Sequence, residues 1–287
     1  MKQKHADYQV VSYPKIRRFM AAARRSVQRK PRMHGLIEVD VTRAREFLRD
    51  HKAKTGEALS FTAFIIACVA KAVDENKAVQ ASRKGRKHLI LFEDVDVSTY
   101  IERDVAGQKQ IMPYIIRAAN RKTFREIHHE IRAAQGEDVA KAVVGFKLVQ
   151  FLPTFLFRFF LWMVGRYPQM EKKYRGTVEL TAVGMFGKGS SWGIPPAGPT
   201  LTIIVGGIGE KAGVVDGHIA TREYLSMTIS FDHDIIDGAP AARFTQRLKE
   251  LIESGSGLFD STVESGQTPL SSQEVNYVYN SRESNLS

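Results

Sequence analysis

Ser230-Phe231-Asp232-His233-Asp234-Ile235-Ile236-Asp237-Gly238 sets three carboxylates and an imidazole between an extended run, 223–231, and a helical pattern from about Ala239 to Glu253. Pro240 suits the first turn of that helix and Gly255 its stop. An imidazole titrates near neutral pH, so His233 has the chemistry of a general base. The same acids and histidine could ligate a cation, but no second cluster at a recognisable spacing completes a site, and we expect no metal. A lone loop histidine is more often structural than catalytic, so the surrounding sequence has to decide.

The 287 residues are 43% hydrophobic and 25% charged, which excludes disorder of the whole chain and leaves enough apolar residues for a sizeable core. The 42 Lys and Arg against 31 Asp and Glu make a net charge of +11, a field that favours anionic partners such as a phosphorylated small molecule or an anionic lipid. No zinc-finger, helix-turn-helix or aromatic-basic RNA motif supports nucleic acid. Cys68 is the single cysteine and lies in an apolar run, so a buried, unpaired thiol in a reducing compartment is expected. The polar N-terminus has no apolar signal core, and the expected location is the cytoplasm, with membrane association as an option.

Pattern places strands at 36–41, 88–102, 110–117, 176–183, 200–206 and 223–231. It places helices at 14–32, 43–53, 61–75 behind the cap Ser60, and 124–134 behind the capping box Thr123 to Glu126. Residues 142–165 are strongly apolar, with Phe155, Phe157, Phe159, Phe160, Leu161 and Trp162 close together. Lys147, Pro153 and Arg158 interrupt this stretch, and one membrane crossing would separate halves that read as one fold. It must nevertheless be covered. We expect it to pack on the active-site side of an oligomer and shape an apolar site, with peripheral membrane contact through 142–165 as the alternative. The expected organisation is an extension at 1–13, one domain at 14–258 and a flexible tail at 259–287.

The 230–238 segment resembles the Asp-His-Arg-x-x-Asp-Gly motif of the acyltransferase component of 2-oxo acid dehydrogenase complexes, within the chloramphenicol-acetyltransferase-like superfamily. Thr181-Ala-Val-Gly184-Met-Phe-Gly187, Ile194-Pro-Pro-Ala197, Ile204-Val-Gly-Gly, Asp94-Val-Asp-Val-Ser98 and Ile111-Met-Pro113 resemble further stretches of that catalytic domain in the same order.

The resemblance implies a two-layer α/β sandwich, a mixed sheet packed with helices, which forms trimers with active sites shared between neighbouring chains. It implies a coenzyme-A-dependent acyltransferase in which His233 takes the proton of an acceptor thiol, Thr181 donates to the oxyanion and Asp237 holds the active-site loop. Gly184, Gly238 and Ser98 are implied in substrate binding. The substrates implied are acyl-CoA and a dihydrolipoyl-like thiol or other acceptor. No lipoyl or partner-binding domain fits into residues 1–13, so we expect no covalent lipoyl group on this chain, and either a stand-alone acyltransferase with a changed substrate or one that borrows a lipoyl carrier protein in trans. Asp234 stands where that motif has Arg, and Ala182 where Asn is usual. Those departures leave one alternative, a catalytically silent oligomeric scaffold of the same fold.

Overall fold

A computed structural model describes Ser12 and residues 30–105, 108–136, 154–184, 187 and 189–259. The helix expected over 14–32, the first part of the apolar stretch and the tail beyond 259 lie outside the described residues, apart from the last residues of the first.

The elements are β1 (Arg32–Asp40), α1 (Thr42–Thr55), α2 (Phe61–Glu75), β2 (Ser82–Lys84), β3 (His88–Ile90), β4 (Val97–Val105), β5 (Gln108–Ile116) and α3 (Phe124–Gly136). These are followed by α4 (Thr154–Arg166), α5 (Pro168–Arg175), β6 (Val178–Ala182), β7 (Leu201–Val215), β8 (His218–Asp232) and α6 (Gly238–Glu253). Six strands form one mixed sheet in the order β1-β8-β7-β6-β4-β5. β6 runs parallel to both neighbours, and the other pairs are antiparallel.

One face of the sheet carries the helices. Leu225, Met227, Ile229 and Phe231 alternate along β8 into a core shared with α2 and α6. α2 is apolar nearly all round, with Phe64, Ile65, Ile66, Val69 and Val73 fully buried, as a helix sandwiched between sheet and neighbours requires. Ser60 caps it as expected, its hydroxyl accepting the Ala63 N–H at 3.2 Å. At α3 the capping box forms: Glu126 accepts the Thr123 N–H at 2.7 Å and Thr123 Oγ1 accepts the Glu126 N–H at 3.3 Å. Cys68 is buried against α6, and burial pushes its thiol well above the ordinary range, which leaves it inert.

Two strand expectations change. The run 88–102 is broken, because Phe92 and Val95 leave the strand path to fill the core and only Val97 onward pairs with β5. β7 and β8 are far longer than expected. They form a hairpin of two fifteen-residue strands closed by Asp216 and Gly217, both at positive φ (50° and 78°), the geometry of a tight two-residue turn.

The opposite face of the sheet is polar. Ser226, Thr228 and Ser230 on β8 are buried there as fully as their apolar neighbours, because the segment 190–199 crosses over β7. A register irregularity between Val205 and Ile208 admits this crossing, and the Gly207 N–H donates to Ser191 O at 3.0 Å.

Candidate active site

Asp232 ends β8 at 1% exposure, its carboxylate 3.3 Å from Lys30 Nζ and accepting the Asp234 N–H at 3.1 Å. Its carbonyl accepts the N–H groups of Ile235 and Ile236, and the His233 N–H donates to Pro31 O at 2.9 Å. The loop is thus held by its backbone and by Asp232, and the imidazole of His233 is left half exposed, at 50%. Its Nδ1 lies 4.0 Å from Asp237 Oδ1, beyond hydrogen-bond reach. Asp237 occupies the cap position of α6, where its carbonyl accepts the Ala241 N–H, but its carboxylate makes no capping bond and is 88% exposed. Within one chain, then, Asp232 rather than Asp237 ties the loop down. Gly238 begins α6 with open space around it. Asp234 pairs with Arg83 of β2 at 2.9 Å, so the acid standing in the place of an arginine is matched by a cation on a neighbouring element.

Along β6, Val178 and Leu180 enter the core while Glu179 and Thr181 face the other side. There an open groove of about 980 Å³ is lined by Ser98, Tyr100, Tyr174, Arg175, Glu179 and Thr181, among others. Ser98 pairs directly with Glu179 across β4 and β6. Gly184 lies just past the groove residue Val183. A Cβ there would collide with the Gly206 carbonyl oxygen, so the glycine permits a close backbone approach at the β7 irregularity.

Arg32 spans the floor between groove and loop, donating to Pro199 O at 2.5 Å and Thr202 Oγ1 at 2.8 Å. Burial pulls its guanidinium below the usual value, while Asp232 and Glu179 oppose that shift. Glu179, Tyr174 and Arg175 escaped the sequence reading. Period-two alternation from Thr181 would have flagged Glu179; nothing local flags the other two.

Thr181 and His233 do not meet in one chain. Thr181 pairs with Ile204 and Ile204 with Thr228, two strand spacings or about 10 Å across the sheet. From Thr228 to His233 is five residues, about 16 Å along β8 and its end, for a separation on the order of 19 Å.

A second group of titratable side chains, Glu57, His128 and His129, is close enough to hold a cation. The chemistry of His128 argues against it. Its Nδ1 accepts the Ser60 N–H at 3.1 Å, so the neutral ring carries its proton on Nε2, which faces Glu57 Oε1 at 3.5 Å. Glu57 is further engaged by His51 and Arg125 at 3.1 and 3.0 Å.

The family model described as 2-oxoacid dehydrogenases acyltransferase (catalytic domain) matches residues 5–142 and 168–259. Among curated relatives, the lipoamide acyltransferase component of the branched-chain alpha-keto acid dehydrogenase complex of Bacillus subtilis is 28% identical over 236 residues, which is 80% of this chain and 49% of that protein. The dihydrolipoyllysine-residue succinyltransferase component of the 2-oxoglutarate dehydrogenase complex of Bartonella vinsonii is 27% identical over 206 residues, 70% of this chain and 41% of that one. The chain therefore spans about half the length of the curated relatives it matches. The solved structure of a probable dihydrolipoamide acetyltransferase from Listeria monocytogenes superposes with a TM-score of 0.65 at 24% identity, covering 87% of this chain and 96% of that one.

Proposed function

We propose, because this chain belongs to the family of 2-oxoacid dehydrogenase acyltransferase catalytic domains, that it moves an acyl group between coenzyme A and a thiol of the dihydrolipoyl type, presented by a carrier protein. The observation that carries the reading is that the chain offers an exposed imidazole on a backbone-held loop and, elsewhere on the same sheet, a groove lined by Thr181.

His233 Nδ1 is turned toward Asp237, which leaves Nε2 to take the proton of the acceptor thiol. The thiolate sulfur then bonds to the thioester carbonyl carbon, and the oxyanion that develops accepts from the Thr181 hydroxyl. On collapse the bond to the sulfur of coenzyme A breaks, and the imidazolium returns the proton to that leaving thiolate. No acyl group is held covalently on the protein.

The Azotobacter vinelandii dihydrolipoamide acetyltransferase has been studied for the part that a serine, a histidine and an asparagine play in its mechanism, the serine 52 residues before the histidine and the asparagine four after it. Thr181 and Asp237 stand at those offsets from His233, which supports the assignment. Since the two groups are on the order of 19 Å apart in one chain, each site is completed by a neighbouring copy, in a homotrimer or a larger assembly built from trimers. Ser98 and Glu179 line the same groove and contact substrate there.

The test is turnover of acyl-CoA with free dihydrolipoamide, followed by release of coenzyme A. Replacing His233 with Ala should lower the rate by about 10²–10⁴ with no change in Tm, because the side chain is half exposed. A folded His233→Ala protein that retains wild-type turnover would refute the mechanism.

A further inference from the structure

The helix α4 carries an apolar face that nothing in the described chain covers. Leu161 and Val164 point inward, and Phe160 packs edge-on against Tyr174 at 5.2 Å. On the other side Leu156, Phe159 and Trp162 are 42%, 56% and 57% exposed, Phe159 and Trp162 stacked on each other, with exposed Tyr167 just beyond the helix end. At helical spacing these positions share one arc with exposed Arg166.

Cations flank that arc. Between residues 154 and 175 the sequence holds five Lys or Arg against one acid, Glu171, which is buried. Arg166 and Lys173 pair with no carboxylate among the described residues; each lies over a neighbouring tyrosine ring instead. Lys172 is 3.8 Å from Asp94. The family model matches the chain on both sides of 143–167 and skips that stretch, so the aromatic helix is an addition to the family's fold rather than a part of its core. Its thirteen residues are about 20 Å long, short of a hydrocarbon core of about 30 Å, and no described helix is long and apolar enough to cross a membrane.

We propose that α4 is a peripheral membrane-docking helix, which lays Leu156, Phe159, Trp162 and Tyr167 into the surface of an anionic phospholipid bilayer while Arg166 and Lys173 engage the lipid headgroups. Charge disfavours a face-to-face pairing of two α4 helices, which would set like charges against each other, whereas an anionic surface complements them. Tyr174, which supports Phe160, also lines the Thr181 groove, so the covered side of α4 abuts the groove. The bilayer contact goes beyond the acyl-transfer reading and is measurable without turnover.

The test is flotation of the full chain with vesicles of phosphatidylcholine alone and with an equal share of phosphatidylglycerol, oligomeric state being followed by light scattering. The wild type should float with the anionic vesicles and dissociate as salt is raised. Phe159→Ser with Trp162→Ser should cut partition at least about tenfold, and Arg166→Gln or Lys173→Gln about fivefold each. In a Trp192→Phe background, Trp162 fluorescence should shift to the blue on binding and be quenched by brominated acyl chains. A wild type left in the soluble fraction with anionic vesicles overturns the proposal. So does binding that none of the charge variants weakens, or a Phe159/Trp162 variant that alters only the oligomer, which would make the face a contact between copies.

Discussion

Mixing two inactive variants, His233→Ala and Thr181→Ala, should restore activity if each site draws on two chains, and the expected yield follows from the sheet. Two strand spacings and five residues separate Thr181 from His233, on the order of 19 Å, whereas proton transfer and oxyanion stabilisation demand contacts of about 3 Å to the same substrate. No side-chain rotation closes that gap. In the proposed cyclic trimer each heterologous interface would join the loop of one copy to the groove of the next. A site in the mixture works only when the loop comes from a Thr181→Ala chain and the groove from a His233→Ala chain. At equal proportions, with random exchange, about one quarter of sites meet that condition, so turnover should approach a quarter of wild type from parents that each lack it. The assay is coenzyme A release after the pooled variants have been dissociated in mild denaturant and reassembled, with exchange verified by differently tagged chains in one particle. If mixed trimers form and turnover stays at the level of the parents, the site belongs to one chain and the shared-site reasoning fails.

Thr181→Ala should lower kcat by about 10²–10³ with little change in KM for acyl-CoA, because an oxyanion contact forms fully only in the transition state; steady-state kinetics on the folded variant would contradict this if KM rose and kcat held. Stability should fall as the pH drops from about 7 toward 6. Burial first, then Arg132, holds the His128 imidazole below its ordinary value, with Glu57 opposing. The unfolded chain therefore takes up a proton near pH 6.5 that the folded chain refuses until lower pH, and the loss levels off below the folded value. Protonation would also end the Nδ1 acceptance of the Ser60 N–H. His128→Asn keeps an acceptor near Nδ1 and removes the titration, so Tm measured across this range should fall less steeply in the variant; an unchanged slope would count against it. His34, lowered by burial and by Arg32, remains in both proteins and leaves a residual slope.

Local chemistry was enough to locate α2, α3 and α6, because a cap, a capping box and an apolar period act within a few residues of one another. The same holds for the burial of Cys68 and for the candidate loop at 230–238, whose residue types and order carry the resemblance to the acyltransferase family. Strand lengths did not follow from pattern. β7 extends through Gly206, Gly207 and Gly209, which read as a break until the segment 190–199 is seen crossing over them, with no room there for a Cβ. Buried Ser226, Thr228 and Ser230 look solvent-facing in sequence for the same reason. Tertiary structure alone brings Ser98, Tyr174, Arg175 and Glu179 into one groove with Thr181, since these residues lie on three separate elements that only the sheet and α5 juxtapose. It alone sets the imidazole and the hydroxyl apart, because that distance is the sum of pairings between strands rather than a property of any one segment. What covers the aromatic arc of α4 is likewise undetermined by periodicity: a stripe shows which residues share a face, and only the packing around it shows that the inward side is taken by Leu161 and Val164 and the other is left exposed among the described residues.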